Sequence, residues 1–164
     1  MNCMFFNARS ITHKTQEINL FTSNQSIDLA IIAESRLQEN QESPFHNTIV
    51  NISAKQHHGG ILAFSPSGKL KNSLLLCSRN NWQIIQFDNL IIGFGYFAPS
   101  EPFSDIELFL EAIEKESNTW QDDVIIVADF NARYSQSTGD HASNSRGPRF
   151  FELISKYPIQ LERA

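Results

Sequence analysis

Between His46 and Phe97 the sequence delivers five short apolar runs in close succession: "HNTIVNIS", "GGILAFSP", "NSLLLCS", "WQIIQF" and "LIIGFGYF". Each is closed by Gly, Pro, Ser, Asn or Asp. Runs of this length, rich in Ile, Leu and Phe and bounded by turn residues, are suited to strands. The intervals between them are too short for helical crossovers, so the block must be a largely antiparallel meander. This constrains the chain more than any other feature, because such a block has to bury two faces.

The flanking segments supply what can cover them. Met1 to Phe6 is an apolar opening with strand character that ends at Asn7-Ala8-Arg9-Ser10, and Ser10 stands where a helix cap would. Ile11, Lys14, Ile18 and Phe21 then keep helical spacing. "IDLAIIAES" reads as a buried strand with Glu34 where the apolar run stops. After the meander, Ile106, Phe109, Leu110 and Ile113 form a helical stripe. "VIIVA" (124–128) reads as another buried strand, and Phe150, Phe151, Leu153, Ile154 and Tyr157 mark a last helix. "PIQL" (158–161) has the pattern of one more strand. With few and late helices, a purely parallel sheet cannot be wrapped. Two packed sheets with helices outside is the natural layering, an α/β sandwich.

Bulk properties agree with one domain spanning 1–164: the chain has 41% hydrophobic residues, 19% charged residues and 13 Phe to fill an interior between layers. There is no repeat, linker or low-complexity segment. Cys3 and Cys77 lie in strand-like runs without metal-type spacing and read as buried free thiols, which points to a reducing, intracellular setting. No signal-like or bilayer-length apolar run occurs, so the protein reads as soluble with no membrane partner. The net charge of −5 argues against binding driven chiefly by long-range attraction to phosphates. Eight acids against one base between Glu101 and Asp123 account for it, and their helical pattern fits a solvated outer helix face. The remainder is slightly positive.

Four apolar runs end in groups able to bind a metal or a phosphate: Asn7, Glu34, Tyr96, and Asp129 with Asn131. Ligand sites in layered α/β folds gather at strand ends on one side. Glu34 and Asn7 are oxygen donors suited to a hard divalent ion, Asp129 can orient or deprotonate a water, and Tyr96 and Asn131 can donate to phosphate oxygens. For each residue there is also a plainer use: turn chemistry for Asp129 and Asn131, capping for Asn7 and Glu34, core packing for Tyr96. His57 and His58 would point to opposite sides of a strand and read as turn or surface residues.

Taken together, "FFNARSITHKTQEI", "LAIIAESRL", "HHGGILAFSP", "GFGYFAPS", "VIIVADFNA" and "SNSRGPRFFELI" resemble the endonuclease/exonuclease/phosphatase superfamily, and within it the apurinic-type endonuclease domain of non-LTR retrotransposons. The resemblance covers essentially the whole chain in order. It implies a four-layer α/β sandwich and Mg²⁺-dependent (or Mn²⁺-dependent) hydrolysis of phosphodiesters in DNA. It also implies partnership with a reverse transcriptase domain of the same element, and a nuclear location if the source is eukaryotic and the element active.

Position by position, the resemblance makes Asn7 and Glu34 metal-site residues and Tyr96 a contact to the scissile phosphate. Asp129 becomes the activator of water, Asn131 a phosphate contact, and Asn144 and Arg146 neighbours of the nucleic acid. There are three departures. Ala128 replaces the family's usual Gly, where a methyl group would crowd the site. Arg9 replaces the Asp of the repair enzymes, as retrotransposon forms commonly do. The family's closing Ser-Asp-His motif and last strands are missing from this sequence, which would leave "PIQL" as an exposed edge and lower the activity. Asp140-His141 is a tempting substitute in a Ser/Asn/Gly-rich loop that reads as solvated. The alternatives are a non-catalytic metal- or nucleic-acid-binding remnant, or the same chemistry on a phosphate monoester or phosphoinositide.

Overall fold

The computed structural model describes residues 1–52, 59–135 and 141–160. The first sheet has the order β1 (Cys3–Asn7), β2 (Leu29–Ala33), β4 (Ile61–Phe64), β3 (Thr48–Ile52). The second has the order β5 (Leu74–Ser78), β6 (Trp82–Phe87), β7 (Leu90–Tyr96), β8 (Asp123–Asp129). β1 runs parallel to β2 and β7 parallel to β8, while every other pairing is antiparallel. Helix α1 (Thr15–Asn24) covers the first sheet, and α2 (Ser104–Glu116) and α3 (Arg146–Ile154) cover the second. The expected four-layer α/β sandwich is the observed one.

Strand alternation sorts the apolar side chains into three layers. Leu29 and Ile31 of β2 face Ile85, Ile92 and Phe94 of the second sheet, and this inter-sheet layer is almost fully dry. Ala30 and Ile32 turn the other way, toward Ile18 and Ile11. Ile91 meets Ile106, Phe109, Leu110 and Ile113 of α2, whose acids lie on its outer side. The Phe109 ring centre lies 5.3 Å from Trp82 and 5.5 Å from Phe97. Burying a side chain of this size contributes about 2–3 kcal/mol. A Cβ on Gly93 would come within 2.6 Å of Ile113, so glycine there lets α2 sit close to β7.

Several expectations are corrected. Helix α1 begins at Thr15 after a turn, and Ser10 is not its cap: Ser10 holds φ 98° and gives its N–H to the Glu34 carbonyl. "VIIVA" is not fully buried. β8 is paired on one side only among the described residues, and Val124 to Ala128 are half-buried. In β5, Leu74 and Leu75 are exposed. Pro158–Gln160 form no strand, Ile159 packs back onto the α2/α3 layer, and Leu161 lies outside the described residues. Among the described residues the one-sided strands are instead β1 and β3 in the first sheet and β5 and β8 in the second. Cys3 and Cys77 are free and half-buried. His57, His58 and Asp140 lie outside the described residues, and His141 is exposed. Among the described residues no helix is long and apolar enough to cross a membrane.

Candidate active site

The site is the last rung of the inter-sheet layer. Cys3 and Phe5 project into that layer, so two residues on Asn7 must as well; the same parity carries Ile92 and Phe94 to Tyr96, and Val127 to Asp129. Tyr96 and Asp129 are register partners on adjacent parallel strands, and Asn7 pairs with Ala33, the residue before Glu34. All four strands therefore deliver a polar group at the same end of the sandwich. Apolar side chains hold the sheets together along the layer, and polar ones replace them where it meets solvent.

Glu34 is the hub. Its Oε1 accepts from the Tyr96 hydroxyl at 2.7 Å and from Asn7 Nδ2 at 3.1 Å, and its Oε2 lies 3.7 Å from Arg36 Nη2. Asn7 Nδ2 also lies 3.4 Å from Asp129 Oδ2. Asp129 Oδ1 takes the backbone N–H of Asn131 at 2.9 Å, and Asn131 Nδ2 donates to the Phe97 carbonyl at 3.2 Å. Glu34 and Asn131 both hold left-handed backbone, φ 51° and 48°, which is costly for residues with a side chain. Each sits where the chain leaves its strand, and the turn swings the side chain back across the sheet ends.

The electrostatics follow from these contacts. Partial burial works against ionisation of Glu34, but the hydrogen bonds from Tyr96 and Asn7 and the charges of Arg36 and Arg9 outweigh it and hold the carboxyl below its usual range. Tyr96 is pushed well up, first by burial and then by its bond to Glu34 and the charges of Glu34, Asp129 and Glu101. It is a neutral donor throughout the physiological range.

Asn7 Oδ1 is buried and has no hydrogen-bond partner. It lies on a carboxamide whose other end touches two carboxylates, and an unpartnered oxygen there fits a cation. Mg²⁺ typically takes one or two protein oxygens and keeps waters and substrate phosphate for the rest, which suits a pair such as Asn7 and Glu34. No cluster of three His, Cys, Asp or Glu side chains occurs among the described residues, so a cage built wholly from such groups is not formed there.

The remaining candidates sit behind this group. Asn144 Oδ1 accepts from the backbone N–H of Arg133 and Gly147, and its Nδ2 donates to the Asn131 carbonyl at 2.7 Å. Arg146 gives its four terminal N–H bonds to backbone carbonyls. Ala128 points away from the candidate site into the α2/α3 layer, so its methyl group does not crowd the polar cluster. Two contributors were not anticipated. Asn81 accepts the Tyr96 backbone N–H on its carbonyl and is itself held by Glu101 and Asp105. Arg36 flanks Glu34, and its only sequence signal was adjacency.

The sequence matches no protein-family model and no curated protein. Among solved structures it is similar to the endonuclease domain of TRAS1, a telomere-specific non-LTR retrotransposon, with TM-score 0.69 and 15% identity over 99% of this chain and 73% of that one. It is also similar to an AP endonuclease from Archaeoglobus fulgidus, with TM-score 0.64 and 14% identity over 95% and 70%. A third is the 3′ phosphatase NExo from Neisseria bound to a product DNA hairpin, with TM-score 0.64 and 13% identity over 94% and 70%. The chain carries the endonuclease/exonuclease/phosphatase fold.

Proposed function

We propose that this protein is a divalent-metal-dependent phosphodiesterase that nicks DNA, in the manner of a retroelement endonuclease. One observation carries the reading: Asn7, Glu34, Tyr96 and Asp129 come from four strands in two sheets and form one hydrogen-bonded group, with the Asn7 Oδ1 oxygen buried and unpartnered.

In this reading Glu34 and Asn7 hold Mg²⁺ or Mn²⁺, which neutralises charge on the scissile phosphate when bound. Asp129, steadied by the Asn131 N–H, orients the attacking water and accepts its proton. Tyr96, kept neutral, turns its single O–H from Glu34 to a phosphate oxygen when substrate enters, and Asn131 has a second amide hydrogen for the same use. The TRAS1 domain and the DNA-bound NExo structure share the fold, which supports DNA over a phosphoinositide. The reverse transcriptase partner and the nuclear setting belong to the same proposal.

The test is nicking of supercoiled plasmid with and without Mg²⁺ by the wild-type chain, Asp129→Ala and Glu34→Ala. Metal-dependent nicking lost in both variants supports the reading. A folded wild-type chain that does not nick, yet binds DNA or Mn²⁺ through these residues, would make it a binding module.

A further inference from the structure

We infer that Arg146 is a positioning residue that sets the spacing between Tyr96 and the Asp129–Asn131 pair, and that it does not bind DNA itself. The inference rests on the phosphodiesterase reading of the same site. Arg146 Nη1 donates to the carbonyls of Phe97 at 2.9 Å and Phe130 at 3.1 Å. Nη2 donates to those of Pro99 at 3.3 Å and Glu101 at 2.6 Å. A guanidinium has four terminal N–H bonds, and here each has a carbonyl partner. A phosphate could take one of these four N–H groups only by breaking a bond to a carbonyl, three of which are at least partly buried, and the Nε–H is the one donor outside the set.

The four carbonyls are not scattered. Phe97 directly follows Tyr96, and Pro99 and Glu101 continue the same loop. Phe130 lies between Asp129 and Asn131. One rigid, planar fork thus ties the segment leaving β7 to the segment leaving β8, at the point where each has delivered its site residue. The Phe97 carbonyl also accepts from Asn131 Nδ2, so a site side chain and the fork share one acceptor. Asn144 buttresses the arrangement by fastening the Asn131 carbonyl to the start of α3. Gly147 seats the fork: a Cβ there would lie 1.9 Å from the Arg133 carbonyl oxygen. Lysine has no planar fork and could reach only part of the set.

The experiment compares wild type, Arg146→Ala, Arg146→Lys and, as an exposed-cation control, Arg149→Ala. It measures kcat and KM for Mg²⁺-dependent nicking, DNA affinity without metal at several salt concentrations, and the side-chain amide NMR signals of Asn131 and Asn7. The expected result for Arg146→Ala is a kcat lower by about 30-fold or more with KM and DNA affinity within about twofold. Arg146→Lys should recover part of the loss. The Asn131 amide should shift and broaden, while that of Asn7, held from the other sheet, stays in place.

A DNA affinity lowered about fivefold, a salt slope smaller by about 1 and a retained kcat would overturn the inference in favour of phosphate contact. A kcat loss that disappears when scaled to the folded fraction would overturn it in favour of stability alone. Should the wild-type chain not nick, the phosphodiesterase reading fails separately. The NMR arm then decides: an unmoved Asn131 amide in folded Arg146→Ala sinks the positioning role, and a moved one upholds it.

Discussion

The side chains of Asn7 and Asp129 stand 122 positions apart in the sequence and meet at 3.4 Å across the seam between the two sheets. The contact joins the first strand to the last, so any change in how the sheets dock is felt at this pair. Replacing Asp129 by Asn keeps its shape and removes its charge and basicity. Plasmid nicking should fall by about 100-fold or more, while thermal unfolding monitored by circular dichroism changes little. Nicking at the wild-type rate would remove Asp129 from the chemistry.

Tyr96→Phe deletes the 2.7 Å bond to Glu34 and leaves the ring in place. We expect nicking to drop by about tenfold. The Glu34 carboxyl, deprived of a donor, should titrate closer to its usual range, as followed by carbon-detected NMR. A Glu34 resonance that titrates as in the wild type would show that the bond does not hold the carboxylate.

Glu34 also gives stability a defined pH dependence. Its folded-state pKa lies below the ordinary value of 4.5, so the native state favours the ionised form more than the unfolded chain does. The corresponding stabilisation is full above about 4.5 and is lost as pH falls through the lowered native value. Glu34→Gln should flatten part of the acid limb when Tm is measured from about pH 7 to about pH 3. Identical acid limbs in variant and wild type would contradict the assignment.

Gly147→Ala tests the seat of α3. The added carbon meets backbone rather than a flexible side-chain end, so relief requires moving the Arg133 segment. A cost of about 3 kcal/mol, or a Tm lower by roughly 10 °C, is expected. Gly93→Ala meets the tip of Ile113, which can rotate, so about 1–2 kcal/mol is expected there. A reversed ranking in denaturant unfolding would show that the helix seat is the softer of the two.

Much of the fold was legible because its signals are local. The alternation in β2 and β7 and the stripe Ile106, Phe109, Leu110 and Ile113 name their own partners. The site residues were legible as polar groups ending apolar runs, and the structure brings Asn7, Glu34, Tyr96, Asp129 and Asn131 together. What could not be read depends on distance in sequence. "VIIVA" looks buried by composition, yet an outer position in the sheet leaves it half-exposed, and sheet order is not written in any window of residues. Pro158–Gln160 have strand composition but form no strand among the described residues. Arg146 reads as a neighbour of the nucleic acid because nothing in its sequence neighbourhood shows the four carbonyls that receive it from segments 45 to 49 and 16 positions away. Ala128 was misplaced for a simpler reason, since strand parity from Asp129 already puts it on the other face.

The sheets divide the chain cleanly: residues 3–64 build one and residues 74–129 the other. Neither stretch owns a complete set of chemical groups, since Asn7 and Glu34 belong to the first and Tyr96, Asp129 and Asn131 to the second. On the proposed reading the fold is a logical AND, with the groups for nicking divided between two pieces that must dock to complete the set. A cut in the loop 65–73 would turn the molecule into a two-component reporter whose signal is the docking of its own halves.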